Sequence, residues 1–256
     1  VHLGGSMIKE RHIEAFDSAE FELCEFQIVE EIRKSVNKDS VIFSDFDGTI
    51  TVDDVVDKFL SIYAGESWME IEELWEAGEI GSEMCLMLQL ACIKLITVDE
   101  LIGFTSDIAI DPYLSKFVRF VKRNGIDLYV LSDGFDCLIE LILGNHGIAG
   151  IPTFANSLRI EDNKPIPSFP FKVGQCLSGS GMCKCAIIEK YRQDRLVIYI
   201  GDGRSDKCAV GRADIVFAKG KLSNYCSDKS IEFFEFSNFG DVLECLVKKE
   251  TIDVIR

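Results

Sequence analysis

The run from Val41 to Ser44 ends on two aspartates one residue apart, Asp45 and Asp47, followed by Gly48 and Thr49. Its β-branched and aromatic residues predict a buried strand. A buried strand that terminates in paired acids constrains the fold, because carboxylates leave water only at a cost unless something neutralises them, and a divalent cation is the natural partner. At the tip of such a strand the two carboxylates can divide the work: one is free to attack while its neighbour handles protons. Gly48 allows the chain to turn away sharply. The competing reading of Asp45 to Thr49 is an acidic turn that caps the next helix.

The remaining pattern alternates helix and strand. Ala19 to Val36 carries Phe21, Cys24, Ile28 and Ile32 at helical spacing, which predicts a preliminary helix outside the main fold. From about Asp53 to Asp107 the pattern stays helical, with breaks near Gly65, Gly78 and Gly81. Helix is expected over Asp111 to Arg123, strand over Asp127 to Leu131, and helix again over Phe135 to Leu143. Ile151 to Phe171 holds prolines and a hairpin around Glu161 to Lys164; Gly174 to Gly181 is a loop and Lys184 to Tyr191 a helix. Strands at Leu196 to Ile200, Ile215 to Ala218 and Phe233 to Phe236 precede a last helix, Val242 to Lys249. This is an α/β chain with a parallel, Rossmann-like sheet. Residues 41–52 and 108–256 form its core, 53–107 a small inserted α-helical cap domain, and 1–40 a mostly helical extension. The six residues before Met7 read as an appended remnant.

In such sheets ligands bind beyond the carboxyl ends of the strands. The polar groups expected there are Asp45 with Asp47, Ser132 with Asp133, and Asp202 with Asp206. The Ser132 hydroxyl and the backbone amides of Asp133 and Gly134, read as a helix start, suit phosphoryl oxygens; an ordinary N-cap serine explains them equally well. Lys184, at another helix start between Cys183 and Cys185, offers a cation to a phosphate, against the common alternative of a solvated surface lysine. Asp202 and Asp206, in the run Gly201 to Asp206, can converge on one hard cation or serve as turn and N-cap residues.

Composition limits the partners. With 27 Lys+Arg against 43 Asp+Glu, the net charge of −16 disfavours nucleic acid and anionic membranes. A small phosphate ester remains compatible, because a metal ion and a basic side chain can reverse the local potential. The ten cysteines are scattered and no secretory signal precedes them, so free thiols in a reducing cytoplasm are expected. Cys176, Cys183 and Cys185 have a spacing compatible with a metal site lacking one ligand, but buried free thiols fit better.

Asp45 to Thr49, then Ser132, then Lys184, then Gly201 to Asp206 resembles, in this order on successive strands, the four motifs of the haloacid-dehalogenase superfamily. The match runs from about Val41 to Ala218. The helical insertion after the first motif is similar to the small cap of the phosphoserine-phosphatase-like branch. Gly181 to Lys184 looks like the cysteine-flanked lysine of the methionine-salvage hydroxyketo-methylthiopentenyl-phosphate phosphatases and of the phosphoethanolamine and phosphocholine phosphatases. Thr51, Asp53 and Trp68 sit where the salvage enzymes have similar residues. The second motif departs from a glycine-rich version, since Asp133 adds negative charge; pointing inward, that side chain would favour a substrate bearing an amine.

The resemblance implies magnesium-dependent hydrolysis of a small phosphomonoester, a soluble metabolite. Asp45 is then the nucleophile that forms an aspartyl phosphate and Asp47 the general acid and base. Mg2+ is implied at Asp45, the Asp47 carbonyl and Asp202, with Thr49, Ser205 and Asp206 in support. Ser132, Asp133, Gly134 and Lys184 would hold the phosphoryl group. A phosphomutase or phosphotransferase using the same aspartates, and a phospho-accepting signalling module, remain alternatives; a dehalogenase would need neither magnesium nor Asp47.

Overall fold

The computed structural model describes residue 36, residues 39–174, residue 176 and residues 178–247. Apart from Val36, the helix expected over Ala19 to Val36 lies outside the described residues, as does the end of the last helix at 248–249. Among the described residues seven strands form one sheet: β1 Ser40–Ser44, β2 Asp127–Phe135, β3 Thr153–Glu161, β4 Lys164–Ser168, β5 Leu196–Gly201, β6 Ile215–Ala218 and β7 Phe234–Glu235. Their order is β4-β3-β2-β1-β5-β6-β7. Every neighbouring pair is parallel except the β3–β4 hairpin, whose turn at Asp162 and Asn163 takes positive φ angles of 51° and 59°. Asp and Asn tolerate that left-handed conformation better than other non-glycine residues.

The chain winds outward from β1 to β2 and β3, then returns to the other side of β1 as β5, β6 and β7. The direction therefore reverses between β1 and β5, the switch point where ligands sit in such sheets. Ser44 pairs with Ile200, and the amide of Asp45 donates to the Ile200 carbonyl at 2.8 Å, so Asp45 and Asp202 leave the sheet side by side. Both faces of the central strands are buried. Ile42, Ile198 and Ile200 face one core with Phe117 and Phe239; Val41, Phe43, Val197 and Tyr199 face another with Ile188 and Leu222. The period of two thus serves two cores, each fully buried side chain contributing roughly 1.5–3 kcal/mol.

Four helices lie between β1 and the helix that leads into β2: α1 Val55–Tyr63, α2 Trp68–Ala77, α3 Ser82–Ala91 and α4 Val98–Thr105. Asp54 caps α1 by accepting from the Asp57 amide at 2.9 Å, and Thr97 with Glu100 forms a reciprocal capping box on α4. Gly78 ends α2 with a left-handed φ of 79°. Helix α5, Leu114–Arg123, buries Leu114, Phe117 and Val121 at helical spacing and carries its basic residues outward. The later helices are α6 Asp136–Asn145, α7 Lys184–Arg192, α8 Lys207–Val210, α9 Gly220–Asp228 and α10 Phe239–Leu246. The sequence pattern did not reveal α9, which buries only Leu222 and Cys226 on a Ser- and Asn-containing stretch.

The helical insert meets the loops at the strand ends. The Glu83 amide donates to the Gly179 carbonyl at 3.3 Å and the Gly181 amide to Ser82 Oγ at 3.2 Å. Gly81 must be glycine for this approach: a Cβ there would lie 2.3 Å from the Gly179 oxygen. From the other side, Arg204 donates to the Glu76 carbonyl at 2.8 Å and stacks over Trp75, while Lys221 pairs with the Glu76 carboxylate.

One expectation is corrected here. Strand β2 does not end at Leu131 but continues to Phe135, with an irregular register against β3 between Leu131 and Phe135. Helix α6 starts only at Asp136, so Ser132, Asp133 and Gly134 are bulged strand residues rather than a helix start.

Candidate active site

Asp45 follows β1 directly and is buried, as is Lys184, the first residue of α7. The Lys184 ammonium donates to Asp45 Oδ1 at 2.7 Å, to Asp206 Oδ1 at 2.5 Å and to Ser205 Oγ at 3.0 Å, using its three protons. Lys184 is therefore not a surface lysine. An ammonium this deeply buried persists only when fully paired, and the two carboxylates raise its pKa well above the ordinary value against the opposing effect of burial. Burial, followed by repulsion from Asp206, raises the Asp45 carboxyl, while Lys184 pulls it down.

Asp47 points to different partners from Asp45, because the chain leaves its extended course there and turns, with the amides of Thr49, Ile50 and Thr51 all closing on the Phe46 carbonyl. Its Oδ2 accepts from Ser132 Oγ at 2.9 Å and its Oδ1 from the Val55 amide at 3.2 Å. Burial and then the Asp54 charge raise its pKa to about 7, with Ser132 and Val55 opposing them. A carboxyl poised there holds a proton for part of the population near neutrality and can both give and take one. The Gly134 amide donates to Ser132 Oγ at 2.8 Å. A Cβ on Gly134 would lie 2.6 Å from Asp47 Oδ2, so the close approach of the second motif to the first needs glycine.

Asp45, Asp202 and Asp206 offer one oxygen each within 4.8 Å of one another, the group of possible metal ligands found among the described residues. Burial and then Asp206 raise Asp202 to about 6, and Thr49 Oγ1 holds its Oδ1 at 2.7 Å. Clustered, partly buried carboxylates of this kind suit a hard divalent cation, which would offset their mutual repulsion. Asp206 is already saturated: Oδ1 accepts from Lys184 and Tyr199, and Oδ2 from the amides of Asp202 and Gly203 at 3.1 and 3.0 Å. It is placed to support the cluster rather than to add a free ligand.

Asp133 answers both of its expected orientations. Its Oδ1 accepts from the Met182 amide at 3.1 Å and from Asn156 Nδ2 at 3.2 Å, tying the second motif to the lysine loop. Its Oδ2 is buried without a partner, and the residue lines a cavity of about 350 Å3 above the strand ends. The same cavity is walled by Asp45, Asp47 and Asp202, and on the side of the insert by Asp54, Asp57, Glu72, Trp75 and Gln89. These insert residues, with Asn156 and Tyr199, were missed from sequence. They carry no motif spacing and reach the site only through the folding of α1, α2 and α3 over it. Glu72 accepts from Gln89 Nε2 at 2.9 Å, and burial and then Glu72 raise Asp57 to about 6.

Of the residues matched to the salvage enzymes, Thr51 is buried and donates to the Asp53 carbonyl at 2.7 Å, Asp53 pairs with Lys58 at the surface, and Trp68 packs in the core. All three shape the segment and none lines the cavity. Cys176, Cys183 and Cys185 are free thiols and do not gather into a group of possible metal ligands among the described residues; Cys176 Sγ lies 3.1 Å from Ser178 Oγ. No described helix is long and apolar enough to cross a membrane.

Comparison with known proteins gives a consistent picture. The model of the family described as Putative Phosphatase matches residues 40–223. A 2-hydroxy-3-keto-5-methylthiopentenyl-1-phosphate phosphatase of Brevibacillus brevis is 27% identical over 222 residues, covering 85% of this chain and 100% of the relative. One of the same name from Bacillus mycoides is 30% identical over 208 residues, covering 79% and 93%. Among solved structures, a phospho-aspartyl intermediate analogue of phosphoserine phosphatase superposes with a TM-score of 0.63 at 20% identity, covering 81% of this chain and 99% of that one. A haloacid-dehalogenase family hydrolase from Salmonella enterica gives 0.67 at 16% identity, covering 91% and 81%. At these identities the structures speak for the fold.

Proposed function

The chain belongs to the phosphatase family whose model spans residues 40–223, within the haloacid-dehalogenase superfamily, and on that premise we propose magnesium-dependent hydrolysis of a small phosphomonoester through an aspartyl phosphate on Asp45. The observation that carries this reading is the division of labour at the strand ends. Asp45 is held by Lys184, Asp47 by Ser132 and Val55, and each carboxylate has the surroundings its role needs.

Asp45 attacks phosphorus in line and the bond to the leaving alkoxide breaks, with Asp47 delivering the proton to that oxygen. Asp47, now ionised, takes a proton from the water that attacks the phosphoryl group on Asp45. Inorganic phosphate leaves, and Asp45 and Asp47 return to their starting states. Lys184, the Ser132 hydroxyl and the amides of Asp133 and Gly134 hold the phosphoryl oxygens as charge spreads over them, so positioning and electrostatics supply most of the acceleration. Asp45, Asp202 and the Asp47 carbonyl would hold Mg2+, which supplies positive charge against the phosphoryl oxygens.

The insert acts as a cap in this reading, and the cavity of about 350 Å3 beneath it suits a compact leaving group. The names of the relatives favour a sugar-like phosphate with a methylthio tail. Asp54, Asp57, Glu72 and Asp133 in the cavity wall favour instead a leaving group rich in hydrogen-bond donors, such as an amino alcohol. A phosphate-release screen with magnesium tests both, using sugar phosphates, amino-alcohol phosphates, a phosphopeptide and a phosphorylated oligonucleotide. Preferred hydrolysis of the macromolecules would overturn the reading. Transfer of the phosphoryl group to substrate without phosphate release would identify a mutase.

A further inference from the structure

Tyr199 is fully buried beside the catalytic groups, and the reaction described above gives it no part. It lies on β5, on the sheet face that packs Phe43, Leu131, Met182, Ile188 and Leu222. A phenol in apolar surroundings needs a partner for its hydroxyl. It finds one at the far side of the site: Tyr199 Oη donates to Asp206 Oδ1 at 2.5 Å. Gly201 makes the contact feasible, since a Cβ there would lie 2.9 Å from the tyrosine ring and 2.5 Å from Asp206 Oδ2.

The bond matters because of what shares its acceptor. Asp206 Oδ1 receives Tyr199 and Lys184 together, and the two lone pairs of that oxygen are thereby filled. Lys184 in turn spends its protons on Asp206, Asp45 and Ser205. To hold a phosphoryl oxygen the ammonium must release one of these bonds. How readily it does so depends on how strongly Asp206 holds it, and a second donor on the same oxygen weakens that hold by drawing on the same charge.

We propose that Tyr199 is a positioning residue of the phosphatase reaction, whose hydroxyl tempers the grip of Asp206 on Lys184 and keeps the ammonium available to the phosphoryl group. The proposal rests on the roles given to Asp45 and Lys184. Without the hydroxyl, Asp206 keeps more of its charge for Lys184 and draws the ammonium away from the phosphate. Phosphoryl binding weakens, in the ground state and in the transition state alike.

The test is Tyr199→Phe, which preserves the ring and its packing, read by inhibition constants for inorganic phosphate and orthovanadate together with kcat, KM and thermal melting. Both anions should bind roughly tenfold more weakly, the scale of one charged hydrogen bond redistributed, with a matching fall in kcat/KM. Site-specific replacement of Tyr199 by a fluorinated tyrosine covers the case in which the phenylalanine variant does not fold. Its hydroxyl is a stronger donor, so phosphate should bind as tightly as in the wild type or more tightly. A purely structural role would move melting and the folded fraction, leaving both inhibition constants unchanged in the folded protein. That result, or weaker phosphate binding in the fluorinated protein, overturns the proposal. Failure of the underlying reading looks different: the wild type would release no phosphate from esters, or Lys184→Met would bind phosphate as the wild type does.

Discussion

The ammonium of Lys184 lies 2.7 Å from Oδ1 of Asp45, so the cation assigned to the phosphoryl group already grips the carboxylate assigned to attack it. Both side chains are buried, and neither could remain charged there alone. The pair orients the proposed nucleophile and ties the stability of the site to the chemistry proposed for it.

Replacing Lys184 with methionine should therefore damage both. Two buried carboxylates, Asp45 and Asp206, would lose their shared cation. Breaking a buried pair from one side typically costs about 3–5 kcal/mol, which urea unfolding in the presence of chelator would register. Turnover should vanish and inorganic phosphate should no longer bind. An unchanged unfolding midpoint would show that the lysine is not the counter-charge of the site.

The raised carboxylates predict a pH dependence of stability. Asp47 stands at about 7, and Asp57 and Asp202 at about 6, all above the value of 3.8 for a free aspartate. At intermediate pH the folded protein holds protons that the unfolded chain has released, so stability falls as pH rises. In chelator, melting temperature should decline between about pH 4 and pH 7, and magnesium should flatten the decline by favouring ionised Asp202. A rise across that window in chelator contradicts the assignment.

Most of the candidate site was legible in the sequence, because Asp45, Ser132 and Asp202 stand at or beside the end of a strand marked by its own composition and Lys184 stands at a helix start. Asp45, Ser132, Lys184 and Asp202 are far apart in the chain, and the sheet order brings them together. The strand-end rule failed in detail at Ser132, where β2 runs on through an irregular stretch that composition does not betray. It could not reach Glu72 or Gln89, whose role depends on how α2 and α3 pack over the cavity. Nor could it separate Tyr199 from its apolar neighbours in β5, since only the hydroxyl's contact with Asp206 sets it apart.

Metal binding should depend on Thr49 as well as on the carboxylates. Its hydroxyl fixes Asp202 Oδ1 at 2.7 Å, and Thr49→Val removes that bond while keeping the shape. Loss of such a supporting contact commonly costs about 10–100-fold in metal affinity, so the magnesium concentration for half-maximal activity should rise by that order. Calcium should not restore activity to either protein, because it takes more ligands at longer distances and would engage Asp45 through both oxygens. Full turnover in excess chelator, or with calcium alone, would sink the magnesium assignment.

The identity of the nucleophile can be read directly. In Asp47→Asn protein, an activated aryl phosphate needs no proton for its leaving group, so Asp45 should still be phosphorylated while hydrolysis of the intermediate is slowed by about 10²–10⁴-fold. Borohydride reduction of the trapped acyl phosphate, followed by peptide mass spectrometry, should reveal homoserine at position 45 and nowhere else. Reduction at another carboxylate, or phosphate release from an Asp45→Asn protein at near wild-type rate, would contradict the account.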